Sequence, residues 1–161
     1  EATFVHMDDI PVRSPQTSLG MAATHLDTHF SPLFPFGFGL SYTQFSYQDL
    51  ELNNKTIHLG ETLKIRVMLT NTGDADGEEI VQLYIRDLVG SVTRPIKELK
   101  DFKRVKLAAG KSEWVTFDLS TDKLAFYDRN MQLKTEPGQF HLWLGGCSQT
   151  GLRHEFEIIN E

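Results

Sequence analysis

The sequence predicts an all-β fold, a two-sheet sandwich of about seven strands preceded by an irregular N-terminal arm. Three observations predict it. From Phe45 onward, seven or eight short runs of strand-like residues follow one another. Turn chemistry separates them at near-regular intervals, and no long amphipathic helical pattern interrupts them.

Residues 1–31 carry no sustained period. Asp8, Asp9, Pro11, Ser14, Pro15 and Gln16 read as loop, and only Leu19 to Leu26 offers a helical turn or two. The next twelve residues, Pro32 to Thr43, hold four aromatics, two glycines, two prolines and no charge. Pro32 and Pro35 bar a regular helix, and Phe34, Phe36, Phe38 and Tyr42 predict a segment pinned against a packed surface.

The strands follow. Phe45–Leu52 ends at Asn53-Asn54, and Leu63–Thr70 alternates cleanly up to the turn Asn71-Thr72-Gly73-Asp74. Ile80–Arg86 leads into a long connection, after which Phe102–Leu107 resumes the pattern. Ala109-Gly110-Lys111 turns into Trp114–Leu119. Leu124–Tyr127 and Met131–Leu133 flank the turn Asp128-Arg129-Asn130, and Glu136-Pro137-Gly138 turns into Phe140–Leu144. Leu152–Ile159 closes the series with Leu152, Phe156 and Ile158 on one face. The expected core is Leu63, Ile65, Val67, Leu69, Val81, Leu83, Ile85, Trp114, Phe117, Leu119, Phe140, Leu142 and Leu144.

Composition narrows the function. The 161 residues are 40% hydrophobic and 24% charged, as in an ordinary globular protein, and the length suits one domain with an extension. A net charge of −6 with scattered Lys and Arg argues against nucleic acid, and the mixed segment Lys97–Lys106 reads as a solvated face. No apolar run approaches the ~18 residues of a membrane span. Cys147 stands alone, so no internal disulfide can form. The chain opens at Glu1 with neither an initiator Met nor a secretory signal, which reads as a piece of a longer polypeptide.

No constellation here reads as catalytic, and no metal or cofactor is expected. His25 and His29 flank Asp27, a helical metal-binding spacing, but Ser31-Pro32 follows directly and favours a loop. The pairs Asp8/Asp9, Glu78/Glu79 and Glu155/Glu157 raise glycosidase chemistry, which needs two carboxyls about 5 to 9.5 Å apart. Strand neighbours such as Glu78 and Glu79 point to opposite faces, so solvation is the reading for all three pairs. Trp143, Tyr84, Phe126 and Tyr127 suggest a sugar platform, against which Trp114 and Trp143 read as core. Cys147 reads as a small buried thiol.

Pro32–Thr43 resembles the connector into the C-terminal fibronectin-III-like domain of family 3 glycoside hydrolases, the β-glucosidase and β-xylosidase type. The likeness continues through Thr70-Asn71-Thr72-Gly73, Val81–Asp87, Val92–Phe102 with its Thr93-Arg94-Pro95, and Glu136-Pro137-Gly138-x-Phe140. Phe38 stands where the family commonly has Tyr, and Asp101 where it has Gly. The resemblance implies a fibronectin-III-like sandwich over residues 45–161, with residues 1–44 an arm and connector ending the preceding α/β domain.

It further implies that the nucleophilic Asp and the acid/base Glu lie upstream, in a barrel and an α/β domain, with no counterpart here. The implied role is an accessory domain bracing those catalytic domains. The parent would hydrolyse oligo- or aryl-glycosides with terminal β-linked glucose or xylose, in the periplasm or outside the cell. The competing readings are a free-standing carbohydrate-binding module and an adhesion module. The expected docking residues are Phe34, Phe36, Phe38, Tyr42, Arg94 and Pro95, the last two on a long loop from Val89 to Glu98. The arm, with Phe4, Val5 and Met7 but no periodic apolar face, predicts a homodimer that covers it.

Overall fold

A computed structural model describes residues 32–160. The arm, its His25/Asp27/His29 and Asp8/Asp9 groups, and the arm-mediated dimer lie outside the described residues. Among the described residues, ten strands form: β1 Phe45–Leu52, β2 Thr56–His58, β3 Thr62–Asn71, β4 Gly77–Asp87, β5 Glu98–Leu107, β6 Ser112–Ser120, β7 Phe126–Tyr127, β8 Leu133–Lys134, β9 Gly138–Gly145 and β10 Arg153–Ile159. They make a three-stranded sheet, β1-β3-β6, a five-stranded sheet, β2-β10-β9-β4-β5, and the small hairpin β7-β8. β2 is three residues long and pairs in parallel with β10. A 3-10 turn at Thr121–Leu124 is capped by the Ser120 side chain, which accepts from the Asp122 N–H.

The core lies between the two large sheets, as alternation dictates. Leu63, Ile65, Val67 and Leu69 of β3 are fully buried, and so are Val81, Leu83, Leu142 and Leu144 across from them. Each such side chain contributes ~1.5–3 kcal/mol relative to exposure. β1 shows how the pattern tolerates a slip. Its apolar residues Phe45, Tyr47, Leu50 and Leu52 change phase after Tyr47, and a bulge between Gln48 and Glu51 absorbs the extra residue, with Asp49 at φ 50°.

Four expectations are corrected here. Trp114 is not core: it pairs with Met68 on the outer face, while Val115 takes the inner position opposite Val67. The phase of Val115, Phe117 and Leu119 fixes this, and Arg66 covers the indole with its guanidinium 4.4 Å from the ring centroid. Glu79 is only partly solvated. It faces the sandwich interior and accepts a 2.6 Å hydrogen bond from the Tyr47 hydroxyl. Cys147 is half-buried in the turn after β9 rather than sealed in the core. β5 begins at Glu98, four residues before Phe102, so the preceding connection is shorter than the sequence suggests.

Candidate docking surface

The outer face of the five-stranded sheet is where this chain departs from a plain sandwich. Cross-strand register sets Trp143 opposite Tyr84 and Tyr84 opposite Leu99; in the next row it sets Gly145 opposite Gln82 and Gln82 opposite Phe102. Directly opposed residues share a face, so these side chains form two neighbouring rows. Alternation marks Gln82 and Tyr84 as solvent-facing, yet both are buried. The cover is the connector, residues 32–44.

Its main chain is pinned there by polar groups. The Gln82 amide donates to the Gly37 carbonyl at 2.9 Å and to the Gly146 carbonyl at 2.6 Å, while its own oxygen accepts from the Tyr84 hydroxyl. Every polar atom of this buried amide is therefore matched. The Ser148 N–H donates to the Phe36 carbonyl at 2.8 Å, and the Phe36 ring meets the edge of Tyr84 at 6.5 Å. Gly37 sits at φ 81°, and a Cβ there would collide with the Gln82 side-chain carbonyl and the Tyr84 hydroxyl. Burial pushes the Tyr84 hydroxyl up to about 12, so it stays a donor across the ordinary pH range.

The far end of the connector is tied by Thr43, whose hydroxyl donates to the Asn71 side-chain oxygen at 2.6 Å. Asn71 is fully buried and donates in turn to the carbonyls of Ala75 and Leu107. The segment is thus fixed at both ends through its backbone and small polar groups.

Its aromatic side chains are left outside. The expected pinning holds for the main chain, but Phe34 is 63% and Phe36 66% exposed, and Tyr42 is fully exposed. Phe34 and Phe38 stack on one another at 5.2 Å. These rings form a grouping of bare aromatics on the surface of the described residues.

The loop between β4 and β5 meets this face through Lys97. Its ammonium lies 4.4 Å from the Trp143 ring centroid and donates to the Ser148 carbonyl at 2.6 Å. Ser148 therefore holds the connector with its N–H and the loop with its C=O. Burial pulls the Lys97 ammonium below its ordinary value. The mixed segment Lys97–Lys106 is accordingly not a uniformly solvated face: Lys97 is committed to Trp143 and Lys100 to Glu98 at 2.6 Å. Each tryptophan thus carries a cation over its ring, Arg66 on Trp114 and Lys97 on Trp143, on opposite sheets.

Arg94 and Pro95 occupy the same loop but face differently. Pro95 is exposed. The Arg94 guanidinium turns inward, to Glu98 at 2.6 Å and over the Phe126 ring at 4.3 Å, with 15% of its side chain exposed. One guanidinium nitrogen is thus paired within the domain, while among the described residues its buried Nε finds no hydrogen-bond partner. Ser91 completes the clasp by donating its N–H and its hydroxyl to Glu136, which holds that carboxyl below its usual range. Among the described residues, no group of His, Cys, Asp and Glu has the makings of a metal site.

A family model for a fibronectin type III-like domain matches residues 79–148. The periplasmic β-glucosidase of Salmonella typhimurium is 31% identical over 156 residues, which is 97% of this chain and 20% of that protein. The thermostable β-glucosidase B of Acetivibrio thermocellus is 45% identical over 132 residues, 80% of this chain and 17% of that one. Among solved structures, the β-glucosidase from Listeria innocua in complex with glucose superposes with a TM-score of 0.78 at 36% identity, covering 86% of this chain and 19% of its own. The chain belongs to the family 3 glycoside hydrolases, as their C-terminal fibronectin-III-like segment.

The chain spans about a fifth of the length of these curated relatives. As a segment of a family 3 hydrolase, it carries an accessory sandwich whose most unusual surface is the connector lying on the outer face of β4 and against the turn after β9. Neither Gln82 nor Asn71 was singled out by sequence reasoning. A buried polar residue at an outward strand position leaves a trace only when the covering segment is known. The one signal was the connector's own composition, aromatic and uncharged, which called for some surface beneath it.

Proposed function

We propose that this chain braces the catalytic domains of a β-glycosidase, docking to them through Phe34, Phe36, Phe38 and Tyr42. The parent enzyme acts on terminal β-linked glucosides or xylosides of oligo- or aryl-glycosides, and its catalytic carboxylates lie upstream of this segment. The observation that carries this reading is the division of labour in the connector. It is fixed to the sandwich through its backbone by Gln82 and Ser148 and through Thr43 by Asn71, while Phe34, Phe36 and Tyr42 stay largely exposed. Exposed rings of this kind lower the free energy of the assembly when a partner surface covers them.

In this reading the sandwich runs from residue 45 to residue 161, and residues 1–44 are the arm and connector arriving from the α/β domain. Pro95 adds a stiff exposed point of contact, and Arg94 shapes the loop that presents it. The test is the double variant Phe34→Ser, Phe38→Ser in the full-length parent and in this chain alone. The parent should melt several degrees lower and lose glycosidase activity at the temperature where it loses cohesion, while the isolated chain should melt unchanged. An unchanged parent melt with a selectively raised KM would instead make the connector a sugar contact.

A further inference from the structure

We infer that the docking surface extends beyond the connector onto the sheet itself, where Leu99 and Phe102 of β5 form a second apolar element that the upstream part of the same polypeptide covers. This rests on the bracing role proposed above and names a part of the interface that the connector does not supply.

Residues three apart on a regular strand point to opposite faces, so Leu99 and Phe102 should be divided between core and solvent. The register shows otherwise. Leu99 pairs with Tyr84 and Phe102 with Gln82, and the bulge between these pairs puts one extra residue, Lys100, into β5. That bulge turns both apolar side chains outward. Phe102 is 62% exposed and Leu99 37%. Lys100 is held to Glu98 at 2.6 Å, which fixes the extra residue without exposing its charge to the patch.

Gln82 and Tyr84 are the residues that lie under Phe36 and Gly37 of the connector. Leu99 and Phe102 therefore sit on the strand next to the one that the connector covers, on the same outer face. Several exposed aromatic and aliphatic side chains in one place make a patch on the order of a few hundred Å², the size that marks an interaction site on a monomer.

The occupant follows from connectivity. About four-fifths of a relative's length lies outside the matched segment, and the connector reaches the sandwich from Pro32, beside this same face. A tethered partner there experiences an effective concentration in the millimolar range, far above that of a free protein.

Hydroxyl-radical footprinting of the full-length parent against this chain alone tests the proposal. In the isolated chain, Leu99, Phe102 and the connector phenylalanines should all be oxidised readily. In the parent, Leu99 and Phe102 should be protected several-fold together with Phe34 and Phe36. If the connector is protected while Phe102 reacts at an equal rate in both, the extension onto β5 is wrong and the bracing role stands. If neither is protected, both readings fall. Protection of Phe102 in the isolated chain, lost on dilution, would make a second copy the occupant and overturn the proposal. The variant Phe102→Ser gives an independent reading, since this outward side chain should leave the isolated chain's melt unchanged and lower the parent's. An equal drop in both would mean that Phe102 serves the sandwich alone.

Discussion

The side-chain amide of Gln82 donates to the backbone carbonyl of Gly37, 45 positions earlier, at 2.9 Å. This one contact explains why a polar residue on the outward side of a central strand is buried and why the residue above it is glycine. The amide satisfies three groups that water would otherwise reach: two carbonyls and the Tyr84 hydroxyl.

Gln82→Leu keeps the volume but leaves the Gly37 and Gly146 carbonyls without a partner and the Tyr84 hydroxyl with only its 3.4 Å contact to the Phe36 carbonyl. The expected cost is ~1–3 kcal/mol, read as a lower urea midpoint. Gly37→Ala should act on the connector more than on the core, because the collision and the positive φ both fall there. Limited proteolysis should cut the Gly37→Ala chain within residues 33–42 well before the parent chain, with β3 and β4 still protected. Equal cutting rates would show that the connector is held by something other than this contact.

The strands and core were largely legible because they are a local pattern. Leu63, Ile65, Val67 and Leu69 announce a buried face within eight residues, and the turn at Asn71 announces its end. What stayed hidden was non-local. Trp114 lies in a strand with an obvious inner face, and only the phase set by Val115, Phe117 and Leu119 shows that the indole lies on the other side. β2 has three residues and draws its order from β10, a partner about a hundred positions away. Arg94 reads as an outward fork in sequence because nothing nearby reveals Phe126 as the ring beneath it. Gln82 and Asn71 share this character: each is a polar hub whose partners come from separate segments.

Arg94→Ala should destabilise this chain by itself. The variant removes the ion pair with Glu98 and the stacking over Phe126, although Lys100 still holds Glu98. A half-buried pair of this kind, discounted for its residual exposure, costs about 1–2 kcal/mol when one partner is removed. Arg94→Lys should recover little, since an ammonium lacks the planar face that lies over the ring. A melt of the isolated chain unchanged by Arg94→Ala would return Arg94 to a docking role between domains.

Glu79→Gln should stabilise the domain at neutral pH. Burial raises the Glu79 carboxyl above its ordinary value of 4.5, and the Tyr47 hydrogen bond only partly offsets that. The folded state therefore holds the proton more tightly than the unfolded chain. Stability from this group is fully present below pH 4.5 and is lost as pH rises through the folded value. Glutamine keeps an oxygen for the Tyr47 hydroxyl and removes the charge. The gain at pH 7 should be under about 1 kcal/mol, given the half-exposed position, and should vanish as pH falls towards 4. A variant less stable than the parent at pH 7 would show that the ionised carboxylate is favoured there.

Lys97→Met tests whether the loop and the connector are coupled through Ser148. Methionine keeps most of the aliphatic stem over Trp143 and loses the ammonium that donates to the Ser148 carbonyl. The cation over the ring contributes ~0.5–1 kcal/mol, part of which is offset because a half-buried charge no longer has to be desolvated. A net loss of no more than about 1 kcal/mol is expected at pH 7, with a shift in Trp143 fluorescence. Burial depresses the Lys97 ammonium below 10.5, so the unfolded chain binds more protons in the window just beneath that value. Stability of the parent chain should therefore rise relative to the Met variant as pH climbs through that window. Hydrogen exchange should quicken in residues 88–97 of the variant, while the Ser148 N–H, still bonded to Phe36, keeps its protection. If that amide is exposed as well, loop and connector open as one unit. If neither changes, Lys97 only decorates the surface of Trp143.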